Sequence, residues 1–252
     1  EESEGTGTVT TVEVKSGYGL TIHDELALLE VIRDLDRSGP QRLVATVLGA
    51  HIVPDEWATD RAGYVSMVTT ELLPEASARG LARFVDVFCD RGAFTVAEAE
   101  RILTRGAELG LGLKVHAEQL THTGISGLAA GLGATSADHL EHVSPADIAA
   151  MAAAGTVAVL LPGAAVFLGA RDRAPARRLR DAGVDVALST DCNPGTCPST
   201  HLPLMATLGC TFLGLSPDEA LVGVTRAAAR AIGLQDGTGT LAPGAPCDLA
   251  VC

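Results

Sequence analysis

The sequence has no apolar stretch that approaches the roughly 20 residues needed to cross a membrane. It has no cluster of Lys and Arg residues to set against its net charge of −13, so nucleic acid and anionic membranes are not expected partners. The first residues are acidic and have neither the basic nor the apolar region of a secretory signal. These absences predict a soluble, cytoplasmic protein.

The cysteines form no CxxC pair, and six of them in 252 residues do not resemble a disulfide framework. Cys192 and Cys197 are near one another, but free thiols in a reducing compartment are preferred over a zinc pair. No internal repeat or low-complexity linker divides the chain. Its length and its 47% hydrophobic residues allow one large buried core of the size that a (β/α) barrel occupies.

Short apolar, β-branched runs alternate with helical patterns, which is typical of the α/β class with a parallel sheet and helical crossovers. The predicted strands cover 8–15, 43–51, 83–89, 112–117, 135–140, 156–161 and 184–190. The clearest predicted helices cover 22–38, 95–109, 126–132, 145–154 and 217–232. A doubly wound open sheet would fit this order, but polar residues at several strand ends favour a (β/α)8 TIM-type barrel. We predict a barrel over residues 1–237, with turn-rich residues 238–252 beginning a small carboxyl-terminal β segment.

Three predicted strand ends carry side chains that bind metals. His116 emerges near the end of one strand, and neutral imidazole is a ligand for zinc or iron. His139, one strand later, is expected to reach the same cavity, and the Asp191 carboxylate can bind a metal and exchange protons with a bound water. Period-two alternation predicts Asp138 on the opposite side from His139, and we interpret Asp138 and His142 as loop caps.

Two further strand ends offer candidates for ligand binding. The loop after the first strand contains Tyr18 between two glycines, which let backbone approach a ligand. Another strand ends with His51. The loop at 192–196 can offer amides and hydroxyls to a polar substrate. Tyr18 and His51 could equally be loop stabilisers.

Six segments resemble the imidazolonepropionase family of histidine degradation, within the amidohydrolase superfamily. They are residues 12–20, 48–51, 85–89, 116–119, 137–141 and 190–196, in the same order as in that family. The most specific are Lys-Ser-Gly-Tyr-Gly-Leu at 15–20 and Asp-Cys-Asn-Pro-Gly-Thr at 191–196. The resemblance covers nearly the whole chain.

The resemblance implies a metal-dependent hydrolase with one Zn²⁺ or Fe ion held by His116 and Asp191. It implies catalytic roles for Asp191, His139 and Gln119, with His139 orienting the attacking water. Substrate or product would be held by Tyr18, His51, Gln119, Asn193, Gly195 and Thr196. The implied reaction opens the ring amide of 4-imidazolone-5-propanoate to give N-formimino-L-glutamate.

The sequence departs from the family pattern in one respect. The family's first strand carries a His-x-His pair, and none occurs among the seven histidines here. We therefore expect that the first barrel strand is missing from this chain, that the chain alone has little activity, and that exposed apolar surface favours a homodimer. The alternatives are another amidohydrolase, such as a deaminase of a small heterocycle, and a metal-deficient fragment that acts only as a binding scaffold.

Overall fold

A computed structural model describes residues 9–248 of the chain. Its strands form one parallel sheet in which each strand pairs with the next in sequence order. They are β1 Thr11–Lys15, β2 Arg42–Ala50, β3 Phe84–Cys89, β4 Gly112–Ala117, β5 Ser136–His139, β6 Val157–Leu160 and β7 Val186–Leu188. The seven predicted strands are confirmed, with ends that differ by a few residues; residue 8 lies outside the described residues.

Helices follow the strands and cover one face of the sheet. They are α1 Ile22–Ser38, α2 Arg61–Met67, α3 Leu73–Ala78, α4 Val96–Glu108, α5 Ile125–Gly131, α6 Pro145–Ala154, α7 Pro162–Phe167, α8 Ala176–Asp181, α9 Leu202–Thr211, α10 Pro217–Val224 and α11 Arg226–Ala231. A 3-10 turn spans Asp55–Trp57, and a π-helical turn at Val68–Leu72 joins α2 to α3. No helix within residues 9–248 is long and apolar enough to cross a membrane.

Three predicted helices differ from the structure, and the predicted helix 126–132 is shifted by one residue, to Ile125–Gly131. The predicted helix 95–109 begins one residue later, because Thr95 is its cap and forms a capping box with Glu98. The predicted helix 217–232 is two helices, α10 and α11. The break is at Thr225, whose φ of −124° and ψ of −98° are not helical.

The two faces of the sheet have different chemistry because side chains alternate along each strand. Val85 and Val115 point to the outer face and pack in the main core with helical residues such as Ile102. The opposite, interior face carries charged residues, among them Lys15 and Asp86. A fully buried charge is rare unless it is paired, so this face must hold its charges in contact with one another.

One ion pair shows that the sheet curls. Neighbouring strands are ~4.8 Å apart, so β1 and β5 would be separated by roughly 19 Å in a flat sheet. The Lys15 Nζ atom on β1 nevertheless lies 2.6 Å from Asp138 Oδ2 on β5 and 2.6 Å from Asp86 Oδ2 on β3. No lysine side chain spans the flat distance, so the strands wrap around an interior, as in the barrel that the sequence predicts.

The carboxyl-terminal segment begins after α11. Residues 238–248 form turns without a strand in the described part of the chain, and the predicted β segment's residues 249–252 lie outside it. The segment contacts the barrel through Arg42 on β2, which donates to Asp236 Oδ2 at 2.7 Å and to Thr238 Oγ1 at 2.8 Å. The division into two domains therefore stays a prediction.

Candidate active site

His116 lies on the interior face near the end of β4, with one ring nitrogen already engaged. Its Nδ1 donates to Asp86 Oδ1 at 3.0 Å, so the Nε2 atom is left to accept or to bind a metal. Burial lowers the pKa of His116, but the charge of Asp86 more than offsets this, and the pKa lies above its usual range. A carboxylate that fixes the tautomer in this way is typical of a metal-binding histidine.

A charged network surrounds this histidine. Lys15 bridges Asp86 and Asp138, and Lys114 Nζ contacts Glu13 Oε2 at 2.9 Å. Burial opposes the charge on Asp86, but the cations of His116 and Lys15 outweigh it and hold the pKa of that carboxyl well below its usual range. Asp86 is therefore ionised at neutral pH and acts as an acceptor only.

The interpretation of Asp138 as a loop cap is wrong. Asp138 is buried on the interior face, where its Oδ1 accepts from Ser136 Oγ at 3.0 Å and its Oδ2 pairs with Lys15. Alternation predicted only that Asp138 lies opposite His139, and it gave no reason to expect that a lysine four strands away would reach this carboxylate. His142 lies in a loop, with Nε2 4.0 Å from the exposed Asp172.

His139 reaches the interior although it is adjacent to Asp138. The chain leaves β5 through two residues with left-handed backbone, His139 at φ 77° and Leu140 at φ 73°, which breaks the alternation. The His139 ring then lies 5.4 Å from the His116 ring, centroid to centroid. Burial, followed by the positive charge of His116, lowers the pKa of His139 to about 3, so its imidazole is neutral at pH 7. Its buried Nδ1 has no partner among the described residues, which suits a water or ligand in the cavity.

Asp191 follows β7 and also has left-handed backbone, at φ 49°. Burial raises the pKa of its carboxyl, and the charges of His116 and Lys15 only partly counter this effect. Thr196 Oγ1 donates weakly to Asp191 Oδ2, at 3.4 Å. Asp191 is thus a carboxylate that holds a proton more readily than an exposed aspartate does, which suits proton exchange.

The loop after Asp191 is built around the Asn193 side chain. Its Oδ1 accepts from the backbone N–H groups of Gly195 at 2.9 Å and Thr196 at 2.7 Å. Its Nδ2 donates to Asp191 O and to Thr196 Oγ1, both at 2.7 Å. These contacts occupy the amide, so in this structure Asn193 shapes the loop and leaves Gly195 exposed at the rim.

Tyr18 and His51 line the rim beside His116. Their rings lie 5.3 Å apart, and Phe88 lies 6.2 Å from His51 and 5.9 Å from His116. His51 Nδ1 donates to Gly17 O at 3.0 Å, and burial lowers the pKa of His51, so a neutral ring presents Nε2. Phe88 was missed from the sequence, where an aromatic residue inside a strand resembles a core residue.

Glu25 is a second residue that the sequence did not reveal. Its buried carboxylate accepts from the backbone N–H groups of Gly17, Gly19 and Leu20, at 2.8 to 3.1 Å. These bonds fold the loop that carries Tyr18 around the first turn of α1. An acidic residue in a first helical turn is ordinary, so no sequence signal distinguishes Glu25.

Four of the predicted site residues lie close together. Phe88 connects the rings of Tyr18 and His51 to those of His116 and His139, and Gln119 is half-buried in the loop directly after β4. Donor atoms of Asp86, His116 and Asp138 lie within 4.8 Å of one another, but Asp86 and Asp138 are already paired with Lys15, so the assignment of His116 and Asp191 to a metal stays a prediction. The buried His139 Nδ1, which has no partner among residues 9–248, fits a group in this cavity.

Comparison with known proteins gives this arrangement a family. Residues 9–252 match the amidohydrolase family. The chain is 52% identical over 242 residues to the imidazolonepropionase of Rhizorhabdus wittichii, covering 96% of this chain and 61% of that protein. It is 50% identical to the imidazolonepropionase of Geobacillus thermodenitrificans, covering 96% of this chain and 57% of the relative. The chain thus spans about three fifths of the length of these curated relatives.

Solved structures agree on the fold. The 5-methylcytosine deaminase of Klebsiella pneumoniae has a TM-score of 0.72 at 18% identity, covering 95% of this chain and 63% of that one. A zinc-bound adenosine deaminase of Xanthomonas campestris has a TM-score of 0.68 at 19% identity, and the match covers 95% of this chain and 56% of the deaminase. The curled parallel sheet with its helices is the fold of these barrel hydrolases, and the chain belongs to the amidohydrolase family.

Proposed function

We propose that the protein to which this chain belongs hydrolyses the ring amide of 4-imidazolone-5-propanoate to N-formimino-L-glutamate. The observation that carries the proposal is the convergence of the His116 and His139 rings, whose centroids are 5.4 Å apart, with a buried His139 nitrogen that has no partner in the described part of the chain. The substrate is proposed from the similarity to imidazolonepropionases, which covers 96% of this chain. A divalent metal is the supported cofactor, and we propose zinc or iron.

His116 Nε2 and Asp191 would hold the metal. When bound, such an ion lowers the pKa of a coordinated water and supplies a nucleophile near neutral pH. His139 is neutral, so it can accept a hydrogen bond and orient the attacking water. Asp191, whose pKa burial raises, takes the water's proton and returns it to the ring nitrogen as the C–N bond opens.

The rim residues would position the substrate. Tyr18 is 61% exposed and lies against the neutral His51, so both present polar atoms to the cavity mouth. Gln119 would supply an amide group and Thr196 a hydroxyl group to the substrate, the exposed Gly195 would lie against it, and Asn193 would hold the loop of Gly195 and Thr196 in shape. The homodimer and the cytoplasmic location stay predictions.

The test is ring opening by the full-length protein and its Asp191→Asn variant. Loss of the base should lower kcat by about a hundredfold or more, with an unchanged circular dichroism spectrum. The exposed Asp181→Asn variant is the control and should keep its turnover. Near-normal turnover in Asp191→Asn would refute the proton role.

Two other results would select the alternatives. Bound metal with deamination of a heterocycle, and no ring opening, would favour a deaminase. If the protein has neither bound metal nor turnover, the result would favour a binding scaffold.

Tyr18→Phe should chiefly raise KM, because the variant loses a hydroxyl group at the cavity mouth. An unchanged KM would contradict the placement of Tyr18 against the substrate.

A further inference from the structure

A second group of metal-binding side chains lies outside the catalytic cavity. A carboxylate oxygen of Glu118, a ring nitrogen of His122 and a carboxylate oxygen of Asp147 all lie within 4.8 Å of one another. Glu118 and His122 belong to the loop after β4, and Asp147 is in the first turn of α6. The proposed reaction uses none of the three.

The Glu118 carboxylate is buried and only half satisfied. Its Oε1 accepts from Thr123 Oγ1 at 3.1 Å and, weakly, from Ser126 N at 3.4 Å. Its Oε2 is also buried and has no hydrogen-bond partner among residues 9–248. A carboxylate oxygen that is withdrawn from water without a partner is costly, and a bound cation would satisfy this atom.

Asp147 is held in place on the opposite side. Ser144 Oγ donates to its Oδ2 at 2.5 Å. Its Oδ1 lies against the α5 backbone, where a Cβ atom added at Gly127 would be only 2.4 Å away. The carboxylate is therefore fixed between two helices, and glycine at 127 is what permits the approach.

The charges of the group also favour a cation. Two carboxylates face a single imidazole, with His122 Nδ1 3.6 Å from Asp147 Oδ2. No Lys or Arg of the described residues forms an ion pair with either carboxylate. The two carboxylates therefore have no Lys or Arg among the described residues to compete with a bound cation.

We propose that Glu118, His122 and Asp147 form a second cation site that takes a divalent transition metal of the zinc type. Zinc is bound by His and carboxylate ligands at ~2.0–2.2 Å, which places neighbouring ligand atoms roughly 3–3.5 Å apart. The 3.6 Å between His122 Nδ1 and Asp147 Oδ2 is close to that value. One nitrogen and two oxygens suit zinc better than calcium, which prefers six or more oxygens. His122 is half exposed, so solvent can complete the coordination.

The proposal does not rest on the proposed function, and zinc content tests it. The full-length protein is dialysed against Zn²⁺ and the bound ion is counted per chain. His122→Ala should bind one ion fewer than the wild type and, being changed at an exposed side chain, should keep its fold. His142→Ala, in the next loop, is the matched control and should keep the full number of ions.

A second variant and a second cation make the outcome decisive. Asp147→Asn should also bind one ion fewer. Equal zinc content in His122→Ala, Asp147→Asn and His142→Ala would overturn the proposal. Uptake of Ca²⁺ or Mg²⁺ at this site in place of Zn²⁺ would overturn the assignment of the metal.

Discussion

At the scale of single residues, left-handed backbone marks the site. Glu118 follows β4, His139 is the last residue of β5 and Asp191 follows β7, with φ of 51°, 77° and 49°. A residue with a side chain in this conformation costs on the order of 1–3 kcal/mol, so the surrounding packing must enforce it. At His139 the turn directs the imidazole to the interior face, where straight alternation would place Asp138 but not His139. The backbone geometry therefore explains why His139 and Asp138 both reach the interior.

The buried neutral His139 predicts a pH dependence of stability. Its pKa is lowered to about 3 in the folded state, whereas the unfolded chain takes up a proton near pH 6.5. The unfolded state then binds more protons between these values, so the stabilisation is complete above pH 6.5 and decreases as the pH falls toward 3. The slope approaches about 1.4 kcal/mol per pH unit.

Urea unfolding at pH 7.5 and 5.5 measures this effect. Between pH 7.5 and 5.5, the free energy of unfolding should decrease less in His139→Gln than in the wild type, because glutamine does not titrate. The exposed His23→Gln is the control for the removal of a histidine. If the free energy of unfolding decreases equally in the wild type and in His139→Gln, His139 does not stay neutral in the folded protein.

At the scale of elements, α4 packs unusually close to the sheet. A Cβ added at Gly106 would lie 2.3 Å from Val85 Cγ1 on β3 and 3.4 Å from Leu113 Cδ2 on β4. Gly106→Ala should therefore lower the free energy of unfolding by about 1–3 kcal/mol, despite the higher helix propensity of alanine. Gly131→Ala, at the end of α5, has no atom within 4 Å of its added Cβ and should be neutral or stabilising. Chemical denaturation measures the free energy of unfolding of both variants. Equal changes in this free energy would contradict the close packing of α4 against the sheet.

The sequence predicts elements where the signal is local. Strand β4 shows alternation within its own residues, and the Thr95–Glu98 capping box fixes the start of α4. The π-helical turn at Val68–Leu72 and the break at Thr225 leave no such signal, because packing of neighbouring elements decides them. The same holds within the site, where the strand ends predicted His116, while the capture of three backbone N–H groups by Glu25 depends on tertiary structure.

At the scale of the whole molecule, charges on the interior face connect distant strands. Lys15 joins β1 to β3 and β5, and Glu13 joins β1 to β2 through Thr46 and to β4 through Lys114. β1 has a partner on one side only within the described residues, so these contacts supplement a single ladder of hydrogen bonds. The curvature of the sheet and the compensation of its interior charge therefore depend on the same side chains.

Removal of Lys15 tests this dependence. Lys15→Met leaves Asp86 and Asp138 facing one another without the ammonium group, and an uncompensated buried charge costs about 3–5 kcal/mol. Arg33→Met removes a surface pair with Asp34 and should cost less than about 1 kcal/mol. Adding Asp138→Asn to Lys15→Met should restore part of the loss, because one repelling carboxylate is gone. If the unfolding free energies of Lys15→Met and Arg33→Met are equal, the interior charges do not hold β1 against the curled sheet, and main-chain pairing with β2 alone must do so.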